Sequence, residues 1–317
     1  MRSLRVRSIS VCFLFFNLLL LPALAQNSVE SGEWTLGRSD IPDRIQFSLQ
    51  SSQGEGHYFS SSSDWNVGDF RGLDWSSAGK HDVRFTIARD AGTIQCEGFV
   101  KDGAGAGLFT FQANAQYARE MAALGFGGVS DDRLFSFAIH DVSLEFARQI
   151  KAAGVTDLDT DKLIAFRIHG VSPQFIHDMR ALGIAVSEAD KLIAFRIHGV
   201  SPDFVTSLRA AGLDTSDDDR LIAFRIHGVS PDFVKGLHAA GMDTKDGEQL
   251  IAFRIHGVSP EYVNELARLG YAHPDGEQLI ALRIHGVTPE YIQRLQARGV
   301  QHLTLDQLVA LRIHGIE

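Results

Sequence analysis

Along most of the chain the apolar positions recur in blocks. From Leu163 to His169 the order is Leu-Ile-Ala-Phe-Arg-Ile-His, and the same block starts at Leu192, Leu221 and Leu250, with variants at Leu134, Leu279 and Leu308. A second block follows each one, as in Val171-Ser172-Pro173-Gln174-Phe175-Ile176. Phe175, Ile176, Met179 and Leu182 then fall at helical spacing on one face. His140, His169, His198, His227, His256, His285 and His314 recur every 29 residues, and so do Gly125, Gly154, Gly183, Gly212, Gly241, Gly270 and Gly299. Two such registers predict a tandem array in which each unit is one helix–turn–helix.

The end signals of the helices agree with this reading. Asp159 is placed to cap a first helix, with Ser130, Asp217, Asp246, Asp275 and Thr304 at equivalent positions. Glu188 is the departure, and Ser187 beside it is the substitute. Gly170 ends the first helix, because glycine takes the left-handed conformation at low cost. Ser172 caps the second helix, Pro173 suits its first position, and Val171 can staple onto Ile176. Asp203, Asp232, Glu261 and Glu290 fall in the first turn, where the helix dipole favours an anion. Gly183 and Ile184 read as a closing Schellman cap. Helices of this length are marginal alone, so stacking of neighbours must supply the core. The array opens on a half-unit, Asn114 to Gly125, and closes on Leu308 to His314. Arg298, where other units carry Leu182, Ala211, Ala240 or Leu269, makes the last unit more polar.

Upstream the pattern changes. Ile45–Leu49 and Val83–Ile87 alternate with period two, and Gly92–Cys96 and Gly107–Phe111 are two similar strands. Asp90-Ala91-Gly92 reads as a turn, and the Gly-rich stretch Asp102–Gly107 as a tight turn between strands, not a phosphate loop. The serine run Ser60–Ser63 reads as a loop. The fold class expected is α+β, a small N-terminal β region over residues 26–111 followed by an α-helical solenoid-like array of 29-residue helix–turn–helix repeats over 112–317. The β region should cover the opening end of the array.

The first 25 residues stand apart. Arg2, Arg5 and Arg7 precede an apolar run from Ile9 to Leu21 and the small-x-small sequence Ala23-Leu24-Ala25. This reads as a secretory signal peptide, with an uncleaved anchor as the alternative. The protein is therefore expected to be exported, to the periplasm or the extracellular space, with no integral membrane segment after cleavage. Loss of the three arginines takes the formal charge from -9 to -12. Such a balance disfavours nucleic acid and anionic headgroups as partners. The mature chain keeps one cysteine, Cys96, in a strand-like apolar context that suits a small buried hydrophobe.

The repeated histidines invite a metal reading, but each unit offers one His, and neighbouring helices are too far apart for shared zinc ligation. His169, His198, His227, His256 and His285 are read as helix-end residues that satisfy orphan carbonyls, with pH sensing as the alternative. Gly183, Gly212, Gly241 and Gly270 are read as structural. The arginine row Arg167, Arg196, Arg225, Arg254, Arg283 and Arg312 is expected to pair with the acids at the starts of neighbouring second helices; binding of an acidic ligand is the alternative. Positions that vary between units are the candidate interaction surface: His177-Asp178, Thr206-Ser207, Lys235-Gly236, Asn264-Glu265 and Gln293-Arg294. Asp178, Ser207, Lys235, Asn264 and Arg294 are the residues singled out there. No catalytic, cofactor or metal site is assigned.

The unit from Leu221 to Val234 resembles the extracytoplasmic repeats C-terminal to the peptidase domain of some beta-lactam sensor-transducer-like membrane metallopeptidases. The segment Asp90–Thr93 through Gly107–Phe111 resembles the strand region before such repeats. The resemblance spans roughly residues 83–317 and implies a sensing or interaction module. It carries no peptidase activity here, because the His-Glu-x-x-His motif is absent. Gly-Val-Ser-Pro between helices is also similar to helix-hairpin-helix nucleic-acid modules, which the acidic composition disfavours. The expectation is a non-catalytic scaffold for protein–protein interaction whose partner is another extracytoplasmic protein. The alternatives are a nucleic-acid-binding module and an unrecognised hydrolase.

Overall fold

The computed structural model describes residues 31–53, 57–75, 77–242 and 245–316. The first 25 residues, read from sequence as a signal peptide, lie outside the described residues. Among those described, no helix is long and apolar enough to cross a membrane.

Six strands come first: β1 (Ser31–Arg38), β2 (Arg44–Gln53), β3 (His57–Asn66), β4 (Lys80–Arg89), β5 (Gly92–Lys101) and β6 (Ala104–Ala113). They form one antiparallel sheet in the order β3-β2-β1-β6-β5-β4. The sheet is strongly curled. The rings of Phe47 on β2 and Phe85 on β4 lie 6.2 Å apart although three strands separate them in the sheet. A segment around Phe70 bridges the open side, where Arg71 and Thr86 exchange backbone hydrogen bonds of 2.9 and 3.0 Å. Trp34, Phe47, Phe70 and Phe85 fill the interior with edge-on aromatic contacts.

Only Asp102 and Gly103 of the Gly-rich stretch form the turn, both at positive φ (52° and 83°), and residues 104–107 already pair with β5 as the start of β6. Gly105 on β6 and Gly98 on β5 make room for a ring. The Trp34 indole lies over Gly98 and Gly105, where an added Cβ would stand 2.7 and 3.2 Å from the ring. Trp34 Nε1 donates to the carbonyls of Glu97 and Leu108, both at 3.1 Å. Cys96 faces this core, and burial pushes its thiol well above the ordinary range.

One expectation fails. Ser60–Ser63 is the middle of β3, not a loop, and pairs in register with Gln50 back to Phe47 on β2. Serine is a poor strand former, but β3 is an edge strand and Ser48 Oγ donates to Ser62 Oγ at 2.8 Å across the ladder. Pairing with β2 decides the conformation.

The helical part follows as α1 (Ala115–Ala123), α2 (Asp131–Ile139), α3 (Leu144–Ala152), α4 (Thr160–His169), α5 (Pro173–Ala181), α6 (Ala189–His198) and α7 (Pro202–Ala210). It continues as α8 (Asp218–His227), α9 (Pro231–Ala239), α10 (Gly247–His256), α11 (Pro260–Arg268), α12 (Gly276–Ile284), α13 (Pro289–Ala297) and α14 (Leu305–Ile313). First helices stack on first helices, from α4 through α14, and second helices form a row of their own. Between the rows lies the core, with Leu163, Phe166, Leu192, Phe195, Leu221 and Phe224 at most 1% exposed.

The caps are the ones the sequence spells out. Ser172 accepts from the Phe175 N–H at 3.0 Å, and Pro173 opens α5. Ile184 N–H donates to Met179 O and Gly183 N–H to Arg180 O, the Schellman pattern. Val171 and Ile176 are both buried. The Ser187 substitution does not occur: Glu188 stands at the N-cap of α6 with no side-chain cap bond. Instead the Ala189 N–H donates to the Thr156 carbonyl at 3.3 Å, a backbone partner reached through a short parallel bridge.

The sheet covers the opening end, on α2. Phe135 stacks on Phe109 at 5.5 Å and touches Phe111 and Phe59. Asp90 accepts from the Leu144 N–H, and Arg89 reaches Asp141 at 3.5 Å.

Because contacts run between units of equal length, deletion of residues 200–228, one 29-residue unit, is expected to leave a folded, shorter array. Deletion of residues 200–214 should break the register. Far-UV circular dichroism checks this: helicity per residue holds in the first variant and falls in the second. Equal loss in both sinks the modular description.

Candidate interaction surface

The arginine row is an inter-unit staple. Arg225 Nε donates to the His198 carbonyl at 3.0 Å, and its guanidinium lies 4.8 Å from the Phe204 ring centroid. Arg196, Arg254, Arg283 and Arg312 repeat the pattern, at 3.2 to 3.4 Å from His169, His227, His256 and His285 carbonyls. Each arginine thus closes the C-terminus of the preceding first helix and stacks on the aromatic ring of the preceding second helix. The site it covers favours glycine: Gly199 has φ 72°, in the left-handed region, and the Arg225 guanidinium lies over the place a Cβ would take.

This corrects the expected acid pairing. Among the described residues, only Arg167 of the row has a carboxylate partner, Asp141 at 2.8 Å. Asp141 occupies the place that Gly170 holds in the next unit, also at positive φ. Asp203, Asp232, Glu261 and Glu290 take no part. The carboxylates of Glu261 and Glu290 turn to their own helix starts, where their own N–H groups and the Ser259 and Thr288 hydroxyls hold them below the ordinary carboxylate range.

The histidines do stand at helix ends, but their carbonyls, not their rings, are the groups engaged. Among the described residues the rings of His169, His198, His227, His256 and His285 make no hydrogen bond. Burial and the nearby Arg167 push His140 below the ordinary imidazole value. Among the described residues, the cluster of three acid or histidine side chains that converges is Asp217, Asp218 and Asp219, at the start of α8. Gly183, Gly212, Gly241 and Gly270 all have positive φ at second-helix ends.

We expect Arg225→Ala to cost about 1–2 kcal/mol, from one lost charge-assisted hydrogen bond and one cation–π contact. Arg225→Lys should recover little, since an ammonium cannot bridge carbonyl and ring in the same way. Urea denaturation reads the change, and an unshifted midpoint for Arg225→Ala would discard the staple.

Ile168, Ile197, Ile226, Ile255, Ile284 and Ile313 form a row the sequence did not single out. They are 55–59% exposed, one on each first helix from α4 to α14. Ile164 and its equivalents, one turn earlier, are half-buried in most units, so an apolar strip runs along this face. Seven residues before each isoleucine stands an exposed acid: Asp161, Asp190, Asp219, Glu248, Glu277 or Asp306. Four of these are bridged to the previous unit by Arg133, Lys162, Lys191 and Arg220.

The variable positions lie on the second helices α5, α7, α9, α11 and α13. Ser207, Lys235, Asn264 and Arg294 are exposed; Asp178 is half-buried and accepts from Gln174 Nε2 at 2.6 Å. Part of their variation is packing. At the Asp178-equivalent position α9 carries Gly236, where a Cβ would meet Pro260 Cγ of the next unit at 2.7 Å. On the outer face of the sheet an open groove of about 880 Å³ is lined by Thr35, Arg84, Glu97, Phe99 and Leu108, with Arg84 and Glu97 3.9 Å apart. No family model matches the chain, and no curated protein matches it.

Proposed function

We propose that the protein is an exported, non-catalytic scaffold whose helical array binds another extracytoplasmic protein. The observation that carries this reading is the row of identical, exposed isoleucines. A side chain that is more than half exposed contributes little to folding, and here an isoleucine faces solvent at the same place in six successive units. Exposed apolar side chains gathered on one face mark interaction sites. The resemblance to extracytoplasmic repeats and the signal-like first 25 residues support placement outside the cytoplasm.

Two measurements test it. Fractionation of cells carrying the tagged full chain should find the protein outside the cytoplasm, lacking residues 1–25. Affinity capture from the extracytoplasmic fraction should recover a discrete partner that salt-washed beads alone do not. Cytoplasmic retention refutes the export half of the proposal, and capture of nothing specific refutes the scaffold half.

A further inference from the structure

Resting on the scaffold reading, the geometry points to the outer face of the first helices as the docking surface, and to an extended acidic polypeptide bearing apolar side chains as what docks there; we infer that this segment runs along the isoleucine row from α4 to α14.

The chain itself shows how this face behaves when covered. Phe135 and Ile139 of α2 stand where Ile164 and Ile168 stand one unit later, and both are buried, at 2% and 7% exposure. The cover is the sheet, whose Phe59, Phe109 and Phe111 pack on Phe135. The same face continues uncovered over the following six first helices. The docking surface is thus continuous with an interface already formed within the molecule.

The change in charge along the face sets the chemistry of the occupant. At the arginine position α2 carries Ala138, which is fully buried. From α6 onward Arg196, Arg225, Arg254, Arg283 and Arg312 stand there with no carboxylate partner among the described residues. Each guanidinium spends its Nε on the preceding helix end, and its terminal nitrogens have no hydrogen-bond partner among the described residues, which leaves N–H donors for a carboxylate. An apolar cover suffices on α2. Beyond it, the cover must bring apolar groups to the isoleucines and anions to the arginines.

Three other occupants fit less well. A second copy docked isoleucine to isoleucine would bring two unneutralised arginine rows together. An anionic membrane plane would meet the acids seven residues before each isoleucine, on the same helix face. A nucleic acid or polysaccharide has little use for aliphatic side chains, since stacking on aromatic rings is what retains bases. A narrow chain following the C-terminal ends of the first helices meets only isoleucine, arginine and histidine. Neighbouring helix axes lie about 8–10 Å apart, and an extended chain advances about 9–10 Å in three residues. One acid and one apolar residue per three-residue step would therefore stay in register with the array.

The test uses the full chain against a displayed library of random 15-residue peptides, about one residue triplet for each of five units. Selected peptides should carry acids and apolar residues at three-residue spacing, and their binding should weaken steeply with added salt. In fluorescence anisotropy the combined variant Ile197→Ser, Ile226→Ser and Ile255→Ser should bind the selected peptide about tenfold or more weakly, at an unchanged melting temperature. The inference is overturned if no peptide is enriched, if the enriched ones are basic or uncharged, if the triple variant binds as the parent does, or if anionic vesicles or heparin retain the protein through the same isoleucines. Repeating the affinity capture with the triple variant separates the two readings. A partner recovered equally by parent and variant leaves the scaffold standing and removes this surface; no partner with either removes the scaffold as well.

Discussion

Phe224→Ala is expected to destabilise the array by about 3–5 kcal/mol, whereas Ile226→Ser, two residues away on the same helix, should shift stability by no more than about 0.5 kcal/mol. Phe224 is 1% exposed and Ile226 is 57% exposed. The Phe224 ring fits a notch left by the next unit, where a Cβ on Gly247 would stand 3.0 Å from its Cζ. Removing the ring leaves a cavity that α10 cannot fill without moving against α12. Because short helices depend on their neighbours, the loss should spread as a lower unfolding midpoint of the whole array. Urea denaturation followed by circular dichroism gives both numbers. A cost for Ile226→Ser close to that for Phe224→Ala would make the isoleucine row structural and remove the main support for the interaction surface.

Gly98→Ala should be the most damaging single methyl in the β region, at about 3 kcal/mol or more. The new Cβ would stand 2.3 Å from the Ala106 carbonyl oxygen and 2.7 Å from Trp34 Cζ2. Backbone of the adjacent strand cannot yield that distance without breaking the ladder, so the indole must lift. Lifting it forfeits both Nε1 hydrogen bonds and opens the aromatic interior to water. Tryptophan emission should shift to the red and the melting temperature of the β region fall. A parental spectrum together with a parental melting temperature would show that the indole does not rest on this glycine.

The repeat was legible because its code is local. Ser172, Pro173, Gly170 and Gly183 act within a turn of where they stand, so their roles follow from neighbours in sequence. The serine strand was not legible, since Ser60–Ser63 is strand only through its pairing with β2. The arginines were assigned partners by charge alone. Their actual partners are a carbonyl 27 residues back and a ring behind it, which spacing does not reveal. The exposed isoleucines were the hardest to see. In Leu-Ile-Ala-Phe-Arg-Ile-His apolar residues surround the helix axis, and only the packing of neighbours tells which of them meets water. The varied positions Asp178, Ser207, Lys235, Asn264 and Arg294 lie on the other row of helices.

The arginine staple also bears on how such a chain can change its length. From the unit of α4 onward, each unit both offers a guanidinium to the unit before it and ends its first helix on a glycine. A recombination between two copies of the coding repeat therefore yields a complete donor and a complete acceptor, wherever within the unit the exchange falls. Copy number can drift up or down without leaving a mismatched joint, and each added copy lengthens the isoleucine strip by one step.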